Sequence, residues 1–208
     1  MEEAELSIPP TAEENKQNHA WWNSLTDPWK QAFNEVTLRR SSTEILDDQT
    51  LHNMYRTSVV RFVGPMASYP NMSFELEDFS GITDLKNLKI LVVTHHNITS
   101  LKEISHMDYL TSLFVFNNKI ESLEGIEGLK NLTELYVQGN QISSLMPLEH
   151  VSQLINICCN YNKISSLKGI TVQHRPNLKM FACIPNDDLW DSEIIRMERE
   201  IGIRCVKG

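Results

Sequence analysis

The chain has 208 residues and a formal net charge of −8, with 41% hydrophobic and 22% charged residues. That make-up suits a folded domain with a real core. It disfavours nucleic acid and anionic membrane surfaces as partners, because no lysine or arginine cluster is longer than Arg39-Arg40.

No stretch approaches the roughly 18 apolar residues that a membrane crossing needs. The opening run, MEEAELSIPPTAEENKQ, is acidic and lacks the apolar centre of a signal peptide. For a complete chain this predicts a cytoplasmic setting. Residues 1–18 read as a disordered acidic tail.

A helical N-terminal cap is expected over residues 19–58. Thr26-Asp27-Pro28 has the form of a helix start, and Trp29, Ala32, Phe33 and Val36 then share one face. Ser41 to Glu44 fits a capping box ahead of Ile45, Leu46, Leu51 and Met54. The region therefore reads as two short helices, with its tryptophans packed into the cap.

Residues 59–186 repeat. The run Leu88, Leu91, Val93, His96, Ile98 is followed 22 residues later by Leu110, Leu113, Val115, Asn118, Ile120. Further steps of 22 give Leu132, Leu135, Val137, Asn140, Ile142, and then Leu154, Ile157, Cys159, Asn162, Ile164. A last step of 24, with Pro176 in the added residues, gives Leu178, Phe181, Cys183, Asn186. The back halves repeat too, as Leu101, Ile104, Met107, then Leu123, Ile126, Leu129, then Leu145, Leu148, Val151. Leu76, Phe79, Ile82 and Leu85 keep that spacing upstream. They read as the back half of a degenerate first unit, whose strand, Val59 to Val63, is displaced by an insertion at 64–75.

The front half of each unit alternates with period two, as a strand does. Its back half has apolar residues at every third place, which suits 3₁₀-like turns. One such unit cannot bury its apolar face alone, so stability must come from stacking. His96, Asn118, Asn140, Asn162 and Asn186 stand at the ninth position, where a short polar side chain can satisfy backbone groups buried at the turn.

Residues 187–208 are expected to cap the other end. Asp187-Asp188 reads as the opening of a helix in which Trp190, Ile194, Met197 and Ile201 recur on one face, and Gly202 stops it. Ile203 to Val206 is expected to add a short strand.

This pattern resembles the leucine-rich repeat family, and the 22-residue unit with its SxLxxI back half (Ser100-Leu101, Ser122-Leu123, Ser144-Leu145, Ser166-Leu167) resembles the SDS22-like and internalin-like subclass. The spacing Trp22, Leu25, Trp29, Phe33 also looks like the N-terminal segment of small bacterial leucine-rich repeat proteins. The resemblance implies an α/β solenoid, with a short parallel sheet on its concave face, irregular or 3₁₀ turns on its convex face and helical caps at its ends. It further implies a protein-recognition scaffold that works without a cofactor.

The residues themselves offer little chemistry. Adjacent strand residues point to opposite sides, so His95-His96 is a poor chelator and no metal site is expected. Cys159 and Cys183 read as buried fillers, whereas Cys158 is expected to face outward. No base flanks it, and no catalytic or phosphate-binding motif is present, so an enzyme is not expected.

The register assigns the outward side chains of the strands. The third-position residues are Ile90, Ser112, Glu134, Asn156 and Met180, and the fifth-position ones Val92, Phe114, Tyr136, Cys158 and Ala182. At the seventh stand Thr94, Phe116, Gln138, Asn160 and Ile184, and at the eighth His95, Asn117, Gly139, Tyr161 and Pro185. Charge is limited to Glu134, and aromatics cluster. Interface centres have that make-up. The expected binding face comprises Val92, Phe114, Phe116, Glu134, Tyr136, Gln138, Cys158, Asn160 and Tyr161. The expected function is binding of a protein partner through it. The competing expectation is a self-associating repeat protein, a homodimer for instance, or a face covered by the tail or the 64–75 insertion.

Overall fold

In the computed structural model, which describes residues 9–208, each front half forms one short strand of a single parallel sheet. The strands are β1 (Val59–Val63), β2 (Ile90–Thr94), β3 (Ser112–Phe114), β4 (Glu134–Tyr136), β5 (Asn156–Cys158), β6 (Met180–Ile184) and β7 (Val206–Lys207), in spatial order β1 to β7. Residues at the same repeat position pair across the sheet, as Leu91↔Leu113, Leu113↔Leu135, Leu135↔Ile157 and Ile157↔Phe181. The back halves carry 3₁₀ turns at Ser80–Ile82, Lys102–Ile104, Ile126–Gly128 and Met146–His150. Leucines, isoleucines and valines from both halves fill one continuous core along the solenoid axis.

The 24-residue unit uses a polar filler. His174 is fully buried where Met107, Leu129 and Val151 sit in earlier units. Its Nδ1 accepts from the Thr171 N–H at 3.1 Å, so the proton rests on Nε2, which donates to the Leu148 carbonyl at 3.0 Å.

The ninth-position ladder ties the units together. Asn118 Oδ1 accepts from the Ile98 N–H at 3.2 Å, and its Nδ2 donates to the carbonyls of Val93 (2.8 Å) and Val115 (3.1 Å). Asn140 repeats this with Ile120, Val115 and Val137, and Asn162 with Ile142, Val137 and Cys159. Asn186 closes the series, accepting from the N–H groups of Asn162 and Ile164 and donating to Cys159 and Cys183. His96 does half of this work. Its Nδ1 accepts from the Leu76 N–H at 3.0 Å, but Nε2 makes no hydrogen bond. Burial lowers its pKa from 6.5 to about 4, although the nearby Phe62 backbone favours the protonated form.

At the N-terminal end, three helices cover β1 where the pattern predicts two: α1 (Ala12–Ser24), α2 (Asp27–Leu38) and α3 (Asp48–Tyr55). The predicted tail is helical from Ala12, and only residues 1–8 lie outside the described part. Thr11 and Glu14 form the capping box, each accepting a backbone N–H from the other. Glu13 and Glu14, two of the acidic residues in the predicted tail, thus sit in a first helical turn, where the helix dipole favours them. Ser41 to Glu44, by contrast, is not helical, and the buried Asn34 amide donates to the carbonyls of Ser42 and Glu44 at 2.7 and 2.9 Å. The N-cap of α3 is Asp47, which accepts from the Thr50 N–H.

Trp22 and Trp29 are buried in this cap. The Trp29 ring lies on Gly81 so closely that a β-carbon there would come within 2.1 Å of it, and its Nε1 donates to Asp78 at 2.8 Å. Glu35 accepts from the Ser73 backbone and hydroxyl. Burial alone would raise its pKa, and the Ser73 bonds outweigh it and lower it.

At the other end the helix begins later than predicted, as α4 (Asp191–Arg196) continued by a π-turn over Met197–Ile201. Trp190 caps it from outside and is 75% exposed, so Met197, not Trp190, plugs the core. Glu193 accepts from the Leu167 N–H and the Ser166 hydroxyl at 2.9 Å each. Its hydrogen bonds from Arg196 above all hold its pKa at about 2.

Three outcomes follow from this packing. Asn140→Ala strands buried backbone groups and is expected to cost about 1–3 kcal/mol in chemical denaturation, whereas a loss under about 0.3 kcal/mol would show that the ladder carries no stability. Gly81→Ala drives a β-carbon into Trp29 and is expected to cost roughly 1–3 kcal/mol in the same assay. For His96, the unfolded chain takes up its proton below about pH 6.5 and the native state only near pH 4. The stabilisation is complete above 6.5 and lost as the pH falls towards 4, reaching about 2 kcal/mol by pH 5. His96→Asn is therefore expected to reduce the fall in denaturation midpoint between pH 7 and 5, with His174 contributing what remains.

Candidate functional site

The outward residues of the strands form one slightly curved face. Its centre is a stacked pair from adjacent units, Phe114 and Tyr136, with ring centroids 4.6 Å apart and planes 13° from parallel. Both rings are half-buried and rest on neighbours in the fifth-position row, which runs Arg61, Val92, Phe114, Tyr136, Cys158, Ala182. Burial raises the Tyr136 pKa, with the Cys158 and Glu134 side chains adding to it, so the phenol stays neutral at ordinary pH.

A second aromatic contact lies at the C-terminal ends of the strands. Phe116 meets His95 edge-on, with centroids 5.6 Å apart and planes at 82°. The Asn117 amide nitrogen lies 2.8 Å from His95 Nε2. His95, Asn117, Gly139 and Tyr161 all have left-handed backbone, with φ between 54° and 67°. Each is held there by its N–H, which donates to a carbonyl of the next unit: Phe116, Gln138, Asn160 and Pro185 respectively. The repeated left-handed turn leaves Tyr161 61% exposed at the rim of the face.

The predicted site residues divide. Val92, Phe114, Phe116, Glu134, Tyr136 and Gln138 are half-buried on this face. Cys158 is not the accessible thiol that the alternation predicts. It is only 9% exposed, a small side chain set between Tyr136 and Ala182, and burial pushes its pKa up. Asn160 is buried too, because the chain returns over it: a β-carbon on Gly208 would lie 2.7 Å from its Oδ1. Burial likewise removes Thr94, Ser112 and Ala182 from the surface.

Glu134 is anchored. It accepts from the Ser112 hydroxyl at 2.8 Å and the Asn156 amide at 3.3 Å, one neighbour on each side. The sequence pattern misses Arg61 and Val59, which β1 brings to the same face as exposed residues. The displaced first strand has no matching leucine pattern, and only its pairing with β2 assigns them.

Comparison with known proteins agrees with this architecture. Residues 110–150 match the family model for leucine-rich repeats, in two copies. Among solved structures, an internalin from Listeria monocytogenes shares the fold with a TM-score of 0.56 at 22% identity, over 65% of this chain and 39% of that one. A leucine-rich repeat protein from Leptospira interrogans gives a TM-score of 0.49 at 21% identity, over 54% and 30% of the two chains. The aligned part of the chain thus spans well under half of either protein. No curated protein matches the sequence. With its 22-residue register, its parallel sheet and the family match over residues 110–150, the chain has the fold of a leucine-rich repeat solenoid.

Proposed function

We propose that the protein is a non-catalytic recognition scaffold, and that it binds a protein partner through the aromatic part of its sheet face. Leucine-rich repeat proteins generally serve as interaction scaffolds, and the observation that carries the finer reading is the Phe114–Tyr136 stack. It is a large, rigid, partly exposed apolar surface, continued by Phe116, His95 and the exposed Tyr161. Side chains locked by neighbouring units lose little further freedom on binding, which favours affinity. The single carboxylate near the centre is already engaged by Ser112 and Asn156, so covering it strands no free charge. A cytoplasmic setting belongs to the same proposal and is supported by four unpaired thiols.

Truncating a central aromatic anchor typically costs about 2 kcal/mol or more of binding, roughly thirtyfold in affinity. In affinity capture from the source cell, Tyr136→Ala and Phe114→Ala are expected to lose a partner that the wild type retains. Their stability should fall by no more than about 1 kcal/mol, the worth of a ring pair at a partly exposed site. Lys102→Ala and Glu124→Ala, which break an exposed 2.9 Å ion pair away from the face, should retain the partner. Capture lost through these outer changes but kept through the aromatic ones would overturn the reading. A dimer in light scattering that Phe114→Glu dissolves would replace it with self-association.

A further inference from the structure

We propose that the junction between the helical cap and the first strand is a binding site for a small amphipathic anion, an alkyl carboxylate in chemical class. A cavity of about 510 Å³ opens between α2, α3 and β1. That size lies in the range of small-molecule sites. Apolar residues, Phe33, Val36, Met54 and Val60, and polar ones, Thr50 and Asn53 among them, line it together. The charged residues lining it are Arg39, from the end of α2, and Arg61, from β1. No carboxylate lines it, although the protein as a whole carries eight excess negative charges.

Both arginines are uncommitted. Among the described residues neither makes an ion pair or a side-chain hydrogen bond. The carboxylates of the surrounding elements are taken: Glu35 by Ser73, Glu44 by Arg40 and Asp47 by Thr50. A lining that joins apolar side chains to two unpaired arginines is complementary to an apolar body that ends in acid oxygens.

The site suits a small molecule better than an added peptide strand. The outer edge of β1 is closed at both ends by its own chain. Thr57 bonds the N–H and carbonyl of Val59. Asn71 accepts from the Val63 N–H and donates to the Arg61 carbonyl, at 2.7 Å each. A peptide would find one free backbone N–H there, that of Arg61, and could not form a ladder.

Arg39 also has an unusual backbone. It ends α2 with φ +57°, a left-handed cap that glycine fills without steric cost. The Arg39 side chain stands where glycine would ease the backbone.

That conflict supplies the test. With decanoate as probe and decanol as neutral control, calorimetric titration of the full chain is expected to show one decanoate per chain. Arg39→Gly is expected to weaken binding while the melting temperature holds or rises, since the substitution removes the charge and the backbone strain together. Arg61→Gln should act in the same direction, and the double variant should lose about tenfold or more. Decanol should bind more weakly and ignore both substitutions. The proposal is overturned if decanoate is not taken up at millimolar concentration, if many copies bind per chain, if both substitutions are silent, or if decanol binds as well as decanoate.

Discussion

The ninth-position amide joins backbone that no water reaches. Asn140, for example, accepts from Ile120 in the preceding unit and donates to carbonyls in that unit and in its own. Backbone donors and acceptors buried at a turn must find partners, and in a unit this short the regular ladders cannot supply them. Each turn is therefore completed by a side chain from the next unit along the chain. This gives the solenoid a direction. The degenerate first unit depends on His96, and the fifth, which begins at Leu154, depends on Asn186.

That dependence explains the ends. The unit that begins at Leu178 has no following amide, and the chain leaves the repeat at once for α4 and β7. Glu193 reaches back from α4 to the backbone of the fifth unit, and hydrogen bonds from Arg196 above all, with those from Leu167 and Ser166, hold its pKa low. At the start, β1 has no preceding strand. Asn71 and Thr57 satisfy its edge, and three helices bury its apolar side. Neither cap is an ornament, since an open sheet edge and an apolar core end are both sites for unwanted association.

The face that remains exposed is what the caps and the ladder leave over. Alternation sends every second strand residue outward, but stacking at the spacing of parallel strands makes each outward residue a neighbour of two others. A large ring next to a small side chain covers it. Tyr136 beside Cys158 therefore gives one half-buried ring and one buried thiol, and the accessible apolar surface gathers around the four aromatic residues of the middle units.

The sequence by itself determined the repeat, its register, the inward residues and the ladder, because each depends on a spacing that recurs every 22 residues. It also marked the aromatic cluster, since register alone brings Phe114 and Tyr136 side by side. What the tertiary structure decided lies where residues far apart in the chain meet. The burial of Asn160 depends on the path of Gly208, and the non-helical run at Ser41 to Glu44 is held by Asn34. Trp190 left the core because α4 starts one residue later, and Arg39 and Arg61 came together across a cavity that no spacing encodes. Periodicity reports the contacts a residue makes with its counterpart in the next unit. Caps and cavities have no counterpart, so only the folded chain can place them.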